Sequence, residues 1–132
     1  MTDIQLKRDD LVYPELSYKI VGVLFEVFRK VGSGYKENYY QKAVAAAFKD
    51  RGLKFQEQAS VPLMFNDTKI GINYLDFLIE DKIVLELKKG DYFQRATIEQ
   101  VNQYLKATNL KLALIAVFTS GGVKVKRLVN VI

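Results

Sequence analysis

The sequence contains no cysteine and no histidine. Without cysteine, neither a disulfide nor a thiolate metal site can carry the fold or the chemistry. Without histidine, a Ser-His-Asp triad, a His-ligated zinc and a histidine general base are all excluded. Proline occurs only twice. No apolar run approaches the ~20 residues that a membrane-spanning helix needs. The opening MTDIQLKRDD is polar and mixed in charge, unlike a secretory signal. A cytoplasmic protein without membrane contact is expected.

What is present is a chain of 132 residues, 49% of them hydrophobic, enough to bury a core without staples. No repeat, low-complexity tract or linker interrupts it, so 1–132 reads as one domain with residues 1–14 as an N-terminal extension. Lys and Arg number 20 against 15 Asp and Glu, a net charge of +5 that permits nucleic-acid contact without establishing it. The bases gather around Lys88, Lys89 and Arg95, and again at Lys124, Lys126 and Arg127.

Residues 15–31 place Leu16, Ile20, Val23, Leu24, Val27, Phe28 and Val31 at helical spacing, ended by Gly32-Ser33-Gly34. A second helix is expected from about Glu37 to Asp50, with Tyr40, Val44, Ala47 and Phe48 along its apolar stripe and Gly52 stopping it. The period then changes to two. Leu53, Phe55, Ala59, Val61, Leu63 and Phe65 alternate with polar residues, a half-exposed strand closed by the Asn66-Asp67 turn. Strands follow over 69–79 and 83–88, then a helix from Thr97 to about Thr108. Leu112 to Phe118 is the continuous apolar run of a central strand, and Gly121-Gly122 turns into a last strand, Val123 to Val129. The expected class is an α/β sandwich, a central mixed sheet of about five strands flanked by helices.

The informative residues are charges that break apolar patterns. Asp76 lies in Tyr74-Leu75-Asp76-Phe77-Leu78-Ile79, and Glu86 and Lys88 lie in Ile83-Val84-Leu85-Glu86-Leu87-Lys88. Alternation sends Val84, Glu86 and Lys88 to one face of that strand. A three-residue loop, Glu80-Asp81-Lys82, would pair Asp76 with Glu86, whereas a two-residue turn would send Asp76 to the other face. The first register places two carboxylates together, an arrangement that suits Mg²⁺ with substrate phosphate and water completing its shell. Lys88 would then assist an attacking hydroxide or the charge growing on phosphorus. The bland alternative is a set of ordinary ion pairs. Glu37 falls on the inward stripe of its helix, where a first-turn acid is also favoured by the helix dipole. Thr97-x-x-Gln100 matches a capping box, yet Gln100 and Tyr104 stand one turn apart, within reach of a phosphate or a bound water.

Together these residues resemble the PD-(D/E)XK nuclease superfamily, and more closely its small GxxExxY family. The naming motif stands as Gly34-Tyr35-Lys36-Glu37-Asn38-Tyr39-Tyr40, followed by Asp76 in YLDFLIED, Glu86-Leu87-Lys88 in VLELKKG, and Gln100 and Tyr104 in EQVNQYLKATNLKLALIAVF. The resemblance covers roughly residues 15 to 129. It implies a restriction-endonuclease-like fold in which Asp76 and Glu86 bind a divalent metal, Lys88 assists the nucleophile, Glu37 adds a helix-borne acid beside the metal, and Gln100 is an auxiliary polar group. Leu75 stands where the superfamily's name has proline. The implied activity is hydrolysis of DNA by a metal-activated water, with Mg²⁺ as cofactor and Mn²⁺ as a substitute. Lys89, Arg95 and Tyr104 are the candidate nucleic-acid contacts. A catalytically silent nucleic-acid-binding or assembly module on the same fold is the alternative. Exposed strand edges make a homodimer an expected state.

Overall fold

The structure is a computed structural model that describes residues 12–130, so most of the N-terminal extension lies outside the described residues. Helix α1, Pro14–Val31, opens with proline in its first turn and buries Ile20, Val23, Leu24 and Val27. Glu15 in its first turn and Arg29 and Lys30 in its last complement the helix dipole. Helix α2, Glu37–Asp50, buries Tyr40, Val44, Ala45 and Phe48. Glu26 of α1 is held by Lys30 at 2.9 Å and by Arg51 just beyond α2, fastening the two helices.

Strands β1 (Phe55–Phe65), β2 (Thr68–Ile79) and β3 (Ile83–Lys89) form an antiparallel meander. Helix α3, Arg95–Thr108, crosses over to β4 (Leu112–Phe118), which lies parallel to β3, and β5 (Val123–Val129) returns antiparallel. The sheet order is β1-β2-β3-β4-β5, the mixed five-stranded sheet expected of the sequence. A parallel pair needs such a crossover, and the covering on both faces is why β4 is buried at every position. One core joins α1 and α2 to Phe77, Ile79, Ile83, Leu85 and Leu87. A second joins α3 to Leu75, Val84, Ala113, Ile115 and Val117. Among the described residues no helix is long and apolar enough to cross a membrane.

Two expectations need correction. Helix α3 begins at Arg95 with Gln94 as its N-cap and no side-chain cap, so Thr97 is a buried residue inside the first turns and no capping box forms. Phe65, expected on the buried face of β1, is 67% exposed. The β1–β2 hairpin projects beyond the cores, and among the described residues nothing covers its tip.

Candidate active site

Along β2 the odd-numbered residues from Asn73 to Ile79 are all buried, as alternation requires. The core they enter changes at Asp76: Leu75 packs with α3, whereas Phe77 and Ile79 pack with α1 and α2. The strand rolls over at this residue. On β1, Gln58 lies between the positions paired with Phe77 and Leu75 and takes up the distortion with a left-handed φ of 54°. The β2–β3 ladder runs from Ile79↔Ile83 to Phe77↔Leu85 and stops there. The turn that sets this register has Glu80 and Asp81 both left-handed, closed by the Lys82 N–H donating to the Ile79 carbonyl at 3.0 Å. It is the three-residue loop, and it brings Asp76 to Glu86.

Side chains occupy the gap where the ladder ends. The Asp76 N–H donates to Glu86 Oε1 at 3.0 Å, and the Leu87 N–H donates to Asp76 Oδ2 at 2.7 Å. Each carboxylate thus satisfies a backbone donor that strand divergence would leave unpaired. Glu86 is only 5% exposed. Burial, and then the neighbouring Asp76 charge, push its carboxyl up to about 7, against the pull of Lys88. Asp76 is also raised, by burial first, with the Leu87 N–H and Lys88 opposing and Glu37 adding to the rise. Lys88 Nζ stands 3.5 Å from Glu86 Oε2. Two crowded carboxyls with raised affinity for protons are a site short of positive charge.

A divalent cation fits that shortage. Backbone donors claim only one oxygen of each carboxylate; Glu86 Oε2 has Lys88 Nζ beside it at 3.5 Å, so an ion held here would share that oxygen with the ammonium. Among the described residues no group of three or more acids, histidines or cysteines converges as a metal cluster. Two carboxylates suit Mg²⁺, which keeps several waters and takes phosphate oxygens for the rest of its shell.

Glu37 is the first residue of α2 and is exposed, because the inward stripe leaves the core at the helix start. Its Oε2 accepts from the Lys89 N–H at 3.2 Å, tying α2 to the end of β3 near the carboxylate pair. Lys89 is exposed. The Arg95 side chain is 89% exposed and lies 3.5 Å from Glu99. Tyr104 is 2% exposed and packs in the α3 core, where burial raises its phenol, so its ring is not presented to a nucleic-acid strand.

Gln100 has a partner that local spacing does not reveal. Its Nε2 donates to Asn73 Oδ1 at 2.9 Å and to the Tyr74 carbonyl at 3.0 Å, and Asn73 Nδ2 donates to the Gln100 carbonyl at 3.0 Å. Both Nε2 hydrogens are committed, so Gln100 clamps α3 to β2 just ahead of Asp76. One signal does point to it: Asn73 is a polar residue in the buried phase of an apolar strand. Asn73→Ala is expected to cost about 2 kcal/mol, because it removes the buried partner of the clamp and both of the hydrogen bonds Asn73 makes to Gln100. Urea unfolding of the two single variants and the double variant checks it. A coupling between Asn73 and Gln100 of about 1 kcal/mol is expected, and strict additivity would contradict the clamp.

Comparison with known proteins agrees with this fold. A family model described as PD-(D/E)XK nuclease superfamily matches residues 14–128. Among solved structures, the crystal structure of SSO0001 is similar, with a TM-score of 0.58 at 13% identity over 72% of this chain and 50% of that one. The chain thus spans about half the length of that protein, and the likeness concerns the fold. No curated protein matches significantly.

Proposed function

This chain belongs to the PD-(D/E)XK nuclease superfamily, and from that premise we propose that it is a divalent-metal-dependent phosphodiesterase acting on DNA. The observation that carries the reading is the buried Asp76–Glu86 pair with Lys88 3.5 Å from Glu86. Asp76 and Glu86 would hold the ion, with the exposed Glu37 at the margin. When bound, Mg²⁺ or Mn²⁺ supplies charge for the phosphate and acidity for a water. Lys88 has the reach to orient that water and to hold charge beside it, and its contact with Glu86 keeps the ammonium over the site. Gln100 and Asn73 hold β2 in place and touch no reacting atom.

The finer kinship with the GxxExxY family belongs to the same reading. Gly34 takes a φ of 91°, Glu37 accepts from Lys89, and the Tyr40 hydroxyl donates to the Gly32 carbonyl while its ring stacks on Phe118 at 4.2 Å. Each motif residue thus helps place the start of α2 against the ends of β3 and β4. A cytoplasmic setting and a homodimer joined along the sheet edges, β1 or β5, complete the proposal.

The test is calorimetric titration of Mg²⁺ and Mn²⁺ beside a DNA cleavage assay. Because the ion must displace the proton that Glu86 holds at acid pH, affinity is expected to fall about tenfold per pH unit below 7. Close to one proton should be released per ion bound at pH 6 and almost none at pH 9. Titrations in buffers of different ionisation enthalpy measure that release. Saturable binding together with metal-dependent cleavage supports the reading. The specific observation favouring a silent nucleic-acid-binding module is that among the described residues no third acid converges on the pair. DNA binding that needs no metal, with no cleavage, would support that module instead.

A further inference from the structure

A second feature lies around the corner from the carboxylates. Beyond the carboxyl ends of the parallel strands β3 and β4, three loops enclose a cleft of about 230 Å³ lined by Ser33, Gly34, Lys89, Gly90, Thr119 and Ser120. Ligands of open α/β sheets settle in such places, outside the carboxyl ends of the strands. Gly34 and Gly90 have φ values of 91° and 154°, and the space a Cβ would enter at each is open. The walls there are bare backbone.

The polar groups divide into committed and free. Thr119 is used by its own turn, donating to the Gly122 carbonyl and accepting from the N–H groups of Gly121 and Gly122. Ser33 and Ser120 are exposed and make no hydrogen bond within the described residues. Lys89 is exposed, and its ammonium makes no ion pair there. Among the lining residues the one acid is Asp91, and Lys124 Nζ sits 2.9 Å from its carbonyl oxygen. Two hydroxyls and a lysine facing a backbone-walled cleft form a donor set for a phosphate oxygen.

Its position relates it to the carboxylates. Lys88 and Lys89 point to opposite faces of β3, and Glu37 is fastened to the Lys89 N–H between cleft and carboxylates. The cleft opens where β3 ends at Lys89, one residue past Lys88. Resting on the nuclease reading above, the geometry points to a subsite for a backbone phosphate flanking the one being cleaved, bound by Lys89, Ser33 and Ser120. Such a contact sets the register of the strand over Glu86 and carries no base preference.

The experiment uses the full chain carrying Glu86→Gln, so that bound DNA is not cut, and a short single-stranded DNA of mixed sequence followed by fluorescence anisotropy across a salt series. Adding Lys89→Ala is expected to reduce the slope of log affinity against log salt by about 0.7, the signature of one phosphate no longer neutralised by the protein. Adding Ser33→Ala with Ser120→Ala is expected to weaken binding about tenfold with the slope unchanged, since hydroxyls carry no counterion. A probe set in which single phosphates are replaced by neutral methylphosphonates should contain a position that matters to the parent and not to the serine variant. Unfolding midpoints equal to the parent's confirm that these exposed substitutions leave the fold intact. If the parent binds DNA and the cleft variants bind it equally at every salt concentration, the subsite is wrong, and cleavage by the wild type decides the nuclease reading separately. If the parent binds no DNA and the wild type cuts none, both fall.

Discussion

Glu86→Gln is expected to abolish DNA cleavage, on the order of a thousandfold or more, and to make the metal-free protein more stable at neutral pH. The first effect follows from removing one of the two carboxylates proposed to hold the ion. The second follows from the cost of keeping a carboxylate at that position. In the unfolded chain Glu86 loses its proton near 4.5, and in the folded chain near 7. Between those values the folded state binds more protons than the unfolded state, so stability falls as pH rises. The contribution is fully present below 4.5 and lost above 7, a difference of about 3 kcal/mol. Glutamine keeps an oxygen to accept from the Asp76 N–H and carries no charge to desolvate. The variant should therefore gain about 3 kcal/mol at pH 8, a midpoint rise of roughly 10 °C, and lose most of the wild type's slope between pH 4.5 and 7. Thermal unfolding in a chelator across that range measures both. A variant less stable than wild type at pH 8 would show that the contacts of the Glu86 carboxylate outweigh the cost of burying its charge. Saturating Mg²⁺ should reverse the ranking, because only wild type gains from binding.

Much of this site was legible because β-strand alternation is strict. Val84, Glu86 and Lys88 break an apolar run on one face, and a three-residue loop suffices to bring Asp76 beside Glu86. The element order was legible for the same reason, since long periodic segments declare their type. What was not legible is which core covers a buried residue. Leu75 and Phe77 have the same parity and similar chemistry, and nothing in their identities says that one meets α3 and the other α2. That roll at Asp76 ends the ladder and makes room for the carboxylates. Gln100 illustrates a second limit. Its spacing from Thr97 matched a local cap and its helix matched a catalytic role, but its partner Asn73 lies 27 residues away. Local pattern cannot weigh a long-range amide pair. Tyr104 was misjudged because a tyrosine on a helical stripe looks the same whether its ring lines a groove or fills a core.

The roll at Asp76 also identifies where the fold itself is most sensitive. Phe77, the next residue, is wholly buried and meets Phe48 of α2 edge-on at 5.4 Å and Phe55 of β1 at 5.8 Å. This aromatic cluster pins β1 and β2 to α2 on the core side of the roll. Phe77→Ala is expected to cost about 4 kcal/mol, through reduced burial, an unfilled cavity and the absence of two aromatic neighbours' contacts. A domain of this size has about 5–15 kcal/mol in all, so the loss is a large share of its stability. Urea unfolding measures it, and a loss under about 1 kcal/mol would show that the cluster does not anchor the strand. The same substitution should weaken Mg²⁺ binding in the molecules that remain folded, because the Asp76 N–H that donates to Glu86 belongs to the residue immediately before the removed anchor. The two variants then separate what the site needs from what the fold needs. Glu86→Gln removes the ligand and relieves the fold of a buried charge. Phe77→Ala keeps both ligands and removes what holds them together, so both lose metal while their stabilities move in opposite directions.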